Sequence, residues 1–194
     1  MTDAKQRLVE LIKDRWTVTE NAVTTSGGEH TTTYLDIPRV LGDGEAMTDA
    51  GEALLSHLEN HDLLDSASMV VGPLTGSIPV VMGLTMTLQR FLVSGKTLRW
   101  AILRDKPKTH GLGRWEVGSE LTSSDKVILV DDVASTGASL ETAINQVQGT
   151  GAEILAIVPL VDRAGIAERK LASYYIPYLP VLTYRDLDLP PLGA

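Results

Sequence analysis

Cysteine is absent from the sequence, which excludes disulfides, thiolate zinc sites and cysteine nucleophiles and fits a protein of the cytosol. Positive charge is scarce: 17 lysines and arginines stand against 25 aspartates and glutamates, a net charge of −8. Counterion release on a nucleic-acid backbone needs clustered cations, so no nucleic-acid partner is expected and any anionic ligand must be held locally. Long apolar runs are also missing. The least charged stretch, 66–89, is broken by Gly72, Pro73, Gly76, Pro79 and Gly83, the punctuation of strand, loop and helix rather than of a membrane span. The opening MTDAKQRLVELIKDRW mixes charged and apolar residues, so neither a signal peptide nor membrane attachment is expected. Of the four histidines, His57 and His61 are spaced for a metal, but they lack the glutamate of a zinc-protease pattern and read as a solvated helix face. No internal repeat or low-complexity linker is visible, and 194 residues with 43% hydrophobic content suit one domain.

What is present is an alternation of strand and helix patterns. Residues 4–15 carry Leu8, Leu11 and Ile12 at helical spacing. Residues 16–41 differ, with threonine-rich strand-like segments, TVTE and TTTYLDI, on either side of a glycine break. A helix over 47–60 follows, with Thr48 and Asp49 as candidate caps. Then come SMVVG, a helix from about Ile78, LRWAILR, KVILVDDV, a helix over 137–148, EILAIVPLVD, a helix over 163–173 and a last strand near 181–184. Three of the strands are almost continuously apolar, as strands buried on both faces of a parallel sheet are. The expected fold class is therefore α/β, a central, mostly parallel sheet flanked by helices.

The segment KVILVDDVASTGASL, 126–140, carries the most chemistry. An apolar strand ends in Asp131 and Asp132 at the carboxyl edge of the sheet, where open α/β sheets place their ligands. A turn of small residues follows, Ala134, Ser135, Thr136, Gly137, Ala138 and Ser139, and then a helix. Backbone N–H groups at that helix start, with the hydroxyls of Ser135, Thr136 and Ser139, form a pocket for phosphate that needs no basic side chain. Two adjacent carboxylates beside it suit vicinal sugar hydroxyls and a hydrated Mg²⁺. The alternative is a helix cap, for which Asp and Ser are ordinary residues.

Residues 127–139 resemble the signature by which type I phosphoribosyltransferases bind 5-phosphoribosyl-1-pyrophosphate (PRPP). The Walker pattern G-x-x-x-x-G-K-S/T has no counterpart in the chain. The resemblance implies that Asp131 and Asp132 face the ribose hydroxyls, that they hold Mg²⁺ directly or through water, and that 134–139 wrap the 5-phosphate.

A second segment, RDKPKTHGLG at 104–113, gathers Arg104, Lys106, Lys108 and His110 within seven residues of an otherwise acidic chain. Pro107, Gly111 and Gly113 argue for a loop, so the cations can reach over a bound anion. A pyrophosphate leaving group gains negative charge as its glycosidic bond breaks, and preorganised cations stabilise that state above the ground state. The loop resembles the R-K-x-x-K-x-H-G catalytic loop of orotate phosphoribosyltransferases, with Arg104, Lys108, His110 and Gly111 retained. Asp105 stands at the family's second lysine, and Lys106 beside it is the candidate to recover that charge. The resemblance further implies a homodimer with a shared active site, in which each loop closes over the partner's site. The other reading is a solvated hairpin of mixed charge.

Weaker segments extend the resemblance over most of the chain. Ser26, Gly27, Tyr34 and Asp36 match the segment S-G-x-x-S-x-Y-Y-x-D, one residue longer here and with Thr25 where many bacterial members have lysine. Residues 71–79 resemble the loop ending G-x-P before a helix, with Gly76 where many relatives carry lysine. VPLVDRAGIAERKL resembles the V-V-D-R-x-x-G region of orotate enzymes, whose arginine contacts the base, here Arg163. A planar guanidinium offers parallel donors to a carboxylate or to pyrimidine oxygens, whereas the plainer reading has Asp162 and Arg163 opening a helix. The implied fold is the type I phosphoribosyltransferase fold, one domain over 1–194. A small hood of residues 16–41 and the C-terminal segment covers the base, with Ser26, Gly27 and Tyr34 at the substrate. The implied reaction joins PRPP and orotate through an oxocarbenium-like transition state. Lys108, Arg104 and Mg²⁺ stabilise pyrophosphate, and His110 either protonates it or positions it. The alternatives are another base, purine or uracil, and a non-catalytic PRPP sensor; the retained Lys108 and His110 speak against the sensor.

Overall fold

In the computed structural model, the described residues are 3–15, 17–24, 30–91, 97–106, 115–163 and 165–189, with 17–24 and 30–34 given by their backbone course alone. The chain opens with α1 (Asp3–Arg15) and an antiparallel pair, β1 (Thr17–Thr24) and β2 (His30–Tyr34). The strand expected over TTTYLDI stops at Tyr34, because Asp36 caps α2 (Ile37–Val40) by accepting from the Arg39 N–H at 3.2 Å. Pro38, with its fixed φ, suits that first turn. Next comes α3 (Gly44–Asn60), three residues earlier than its apolar pattern suggested. Its cap is Asp43, whose Oδ1 accepts from Ala46 N at 2.9 Å, and not Thr48 or Asp49. Thr48 lies inside the helix, its hydroxyl donating to the Gly44 carbonyl.

The remaining elements are β3 (Met69–Pro73), α4 (Ile78–Phe91), β4 (Arg99–Leu103), β5 (Glu116–Gly118), β6 (Lys126–Ala134), α5 (Ala138–Gly149), β7 (Glu153–Asp162), α6 (Ile166–Leu171) and β8 (Leu182–Thr183). The sheet has the order β5-β4-β3-β6-β7-β8, parallel throughout except for the antiparallel edge strand β5. Alternating side chains explain why its inner strands read as continuous apolar runs. Val70, Ile128, Val130 and Val158 pack in a core with α1, α3 and α4, while Met69, Val71, Val127, Leu129 and Ile157 pack on α5 and α6. Each such side chain contributes roughly 1.5–3 kcal/mol by leaving water, which favours apolar residues on both faces.

The expected helix over 163–173 is shorter, a glycine-initiated α6 continued by a 3-10 turn, Ala172–Tyr174. The histidine pair is not fully solvated: the His57 ring lies 3.1 Å from the Leu179 carbonyl oxygen and 4.6 Å from the His61 ring, and burial lowers its pKa. Among the described residues no helix is long and apolar enough to cross a membrane. Because five of the strands run parallel, the segments after β3, β4, β6, β7 and β8 all emerge at one edge of the sheet.

Candidate active site

At that edge β6 does not end where the carboxylates begin. It continues through Asp131 and Asp132 to Ala134, which pairs with Asp162 of β7. The two acids are consecutive on the strand, and their carboxyl groups interact with each other. Asp131 is 3% exposed and accepts from the Ser139 hydroxyl at 2.9 Å and from Asp132 N–H at 3.0 Å. Asp132 is half-buried beneath the loop after β3, where Gly76 lies so close that an added Cβ would collide with its carboxylate. A larger residue at 76 would require the Asp132 carboxylate to move.

Burial, followed by the charge of Asp132, holds the Asp131 carboxyl well above the ordinary range. Asp132 is also raised, mainly by burial, with the Asp36 carboxylate adding repulsion. A close pair of partly desolvated acids is stabilised by hydroxyl donors or a hard cation. Among the described residues no cluster of three metal-binding side chains accompanies them, so a cation here would draw its other ligands from water and substrate.

The loop that follows holds Ser135 and Thr136 half-buried, with buried Gly137 preceding the helix and Ala138 and Ser139 exposed in its first turn. The first amides of an α-helix have no intrahelical acceptor, so this start offers N–H donors to an anion. The Ser139 hydroxyl, expected in the phosphate pocket, is turned instead onto Asp131. Ser135 and Thr136 remain as its hydroxyls.

Arg163 follows β7 at the same edge and is 3% exposed. Its N–H donates to the Ala134 carbonyl at 3.0 Å, and its Nη1 donates to Ser135 Oγ at 3.2 Å. The guanidinium carbon stands 5.7 Å from the centre of the Tyr184 ring, within cation–π range. A cavity of about 410 Å³ opens beside it, lined also by Gly165, Thr183, Tyr184, Arg185 and Leu189. Sequence reasoning missed Tyr184 and Arg185. Their signal was position: an aromatic and a guanidinium directly after the last strand, at the edge where the other loops converge.

The cationic segment begins where β4 ends; β4 pairs with antiparallel β5, and the stem of the pair is closed by Arg104 N–H donating to the Trp115 carbonyl at 2.9 Å. Gln146 of α5 donates to the Arg104 carbonyl at 2.8 Å, fixing the stem against the helix that begins at the small-residue loop. Arg104 is half-buried, and Asp105 and Lys106 are exposed. Lys108, His110 and Gly111 lie outside the described residues, as do Thr25, Ser26 and Gly27. Tyr34 closes β2 opposite Thr17.

A strand carrying two carboxylates near its end, a small-residue loop at a helix start and an arginine bonded to that loop stand together at this edge of the sheet. Residues 40–177 match the family model described as the phosphoribosyl transferase domain, and the chain belongs to that family. Within this class its likeness is to orotate enzymes. It is 36% identical to the orotate phosphoribosyltransferase of Streptomyces coelicolor over 97% of this chain and 100% of the relative. Among solved structures it is similar to a phosphoribosyltransferase from Corynebacterium diphtheriae, with a TM-score of 0.78, 25% identity, and coverage of 97% of this chain and 100% of that one. It is also similar to the Mycobacterium tuberculosis orotate phosphoribosyltransferase crystallised with PRPP, with a TM-score of 0.73, 27% identity, and coverage of 96% and 99%.

Proposed function

We propose that this protein transfers ribose 5-phosphate from PRPP to orotate, giving orotidine 5-monophosphate and pyrophosphate in pyrimidine nucleotide synthesis. The observation that carries the reading is the contact of Arg163 with Ser135 at 3.2 Å, which makes the arginine of a base site and the phosphate loop contiguous. A ribose 5-phosphate seated on residues 134–139 then holds its anomeric carbon between the acids of β6 and the cavity at Arg163. Orientation is the main contribution, since holding two reactants in attack geometry can supply about 7–11 kcal/mol of the barrier.

In this reading Asp131 and Asp132 accept hydrogen bonds from the ribose hydroxyls, and Arg163 gives parallel donors to the orotate carboxylate or ring oxygens. The same two acids, consecutive on β6 at the carboxyl edge of the sheet, offer the hard oxygen donors that a hydrated Mg²⁺ takes. When bound, Mg²⁺ neutralises charge on the diphosphate. Arg104, Lys106, Lys108 and His110 supply cationic contacts to pyrophosphate. Residues 16–41, including Ser26, Gly27 and Tyr34, and the C-terminal segment form a hood over the base in a single domain, and the enzyme works in the cytoplasm.

The assay that tests this is loss of orotate absorbance with and without PRPP and Mg²⁺. Turnover that needs both is expected. Inactivity with orotate beside robust use of adenine, hypoxanthine or uracil would replace the base assignment and keep the transferase. PRPP binding without turnover of any base would establish the sensor.

We also propose a homodimer whose 104–113 loops serve the partner's site, supported by Met86 and Phe91 of α4, which are 64% and 50% exposed in the single chain. Mixing inactive Asp132→Asn protein with inactive Lys108→Ala protein should restore activity, up to roughly a quarter of the wild-type rate per subunit at random exchange, because half the dimers are mixed and each has one intact site. Proven subunit exchange with no returning activity would refute the shared site.

A further inference from the structure

We propose that Tyr178 is a positioning residue for base recognition, holding closed the turn that presents Arg163. The proposal rests on the reading that Arg163 meets orotate. Asp162, the last residue of β7, is only 7% exposed, and a buried carboxylate must be met by donors. Two are supplied from outside the sheet: Gly165 N–H donates to Oδ2 at 2.7 Å, and the Tyr178 hydroxyl donates to Oδ1 at 2.8 Å. The first bond closes an Asx-type turn over 162–165. Gly165 ends it at φ +65°, left-handed backbone that favours glycine, before α6 begins. Arg163 is the second residue of that turn, so its direction depends on the turn staying closed.

Tyr178 is itself fixed. On either side of it, Ile157 N–H donates to the Pro177 carbonyl and Leu179 N–H to the Ile157 carbonyl, both at 2.8 Å. Its ring is partly buried against the α5 side of the core. Burial and the Asp162 charge push the phenol above its ordinary range, so it remains a donor at any working pH. Arg163 is thus held by the Ala134 carbonyl and Ser135 Oγ among other contacts, and by a turn pinned through Asp162 by a side chain that does not line the cavity beside it.

Tyr178→Phe in the intact enzyme keeps the ring and removes the donor. Rate measurements in the wild-type and Arg163→Ala backgrounds should show KM for orotate rising roughly tenfold in the first. The change should stay within about twofold in the second, because a residue acting through Arg163 has nothing left to position. KM for PRPP should stay within about twofold in both. The Gly165 amide should exchange with solvent faster in the variant. Asp162→Asn, which keeps shape and weakens the acceptor, should give the same pattern and serves if Tyr178→Phe does not fold. An unchanged KM for orotate, or equal losses in the two backgrounds, would overturn the proposal while the orotate reading stands. Wild-type protein that does not use orotate would overturn that reading, and the proposal with it.

Discussion

Replacing Asp131 and Asp132 together by Asn is expected to remove detectable turnover, a loss of roughly a thousandfold or more, while raising the thermal stability of the ligand-free protein. The two effects share one cause. In the folded chain the acids are crowded and, at Asp131, almost fully buried, so burial first and mutual repulsion second raise the Asp131 carboxyl well above its ordinary range. Such a carboxyl holds its proton more tightly folded than unfolded. It therefore favours folding at low pH, and that contribution is lost as pH rises through its folded pKa.

Neutral Asn lacks this penalty and can keep the hydrogen bonds of Asp131 to Ser139 and to the Asp132 N–H. The gain in Tm should be about 2–4 °C for each kcal/mol recovered in a chain of this length. It should be largest at neutral and alkaline pH and shrink as the solution is acidified below the ordinary carboxylate range. PRPP with Mg²⁺ should raise the Tm of wild type and not of the variant, since only a ligand that binds the native state stabilises it. Calorimetry across pH with a parallel rate assay tests both halves; a folded double variant with unchanged PRPP affinity and rate would remove this site from the reaction.

Arg163→Ala should weaken orotate by roughly tenfold to a hundredfold, the range of a charged hydrogen bond of about 1.5–3 kcal/mol. The contact with Ser135 adds a consequence not evident in the linear chain: the phosphate loop loses a donor, so PRPP affinity should fall too, though by no more than about threefold. Arg163 is 3% exposed and stands over Tyr184, so truncation also leaves a void and should lower the Tm. Lysine at 163 should restore part of the orotate affinity, because it supplies charge without the planar pair of donors. Steady-state rates with each substrate varied in turn separate these effects. Loss of stability with unchanged base preference would show Arg163 to be purely structural.

The sheet was legible because its strands are buried on both faces: no solvent-side polar residue interrupts VILV or AIVPLV, and such runs have few other interpretations. The acids and the small-residue loop were legible for a different reason, since their chemistry is compressed into nine consecutive residues, 131–139. Boundaries were less so. Asp43 rather than Thr48 or Asp49 caps α3, because the backbone of its first turn, and not the apolar period, decides where a helix begins. The motif places Ser139 at the phosphate, whereas in the fold its hydroxyl, at the start of α5, donates to Asp131 of β6.

By itself the sequence determined the α/β class, the paired acids and the small-residue loop after them, and it offered the candidate base-site arginine, all of them features carried by local composition and short spacing. Tertiary structure alone decided that Gly76 lies against the Asp132 carboxylate, that Arg163 is bonded to Ser135, and that Tyr178 reaches Asp162. Those contacts join residues 56, 28 and 16 positions apart. Parallel strands bring their carboxyl ends to one edge, and which side chains then touch depends on register and on the packing of the two helical layers, neither of which a residue's sequence neighbours encode.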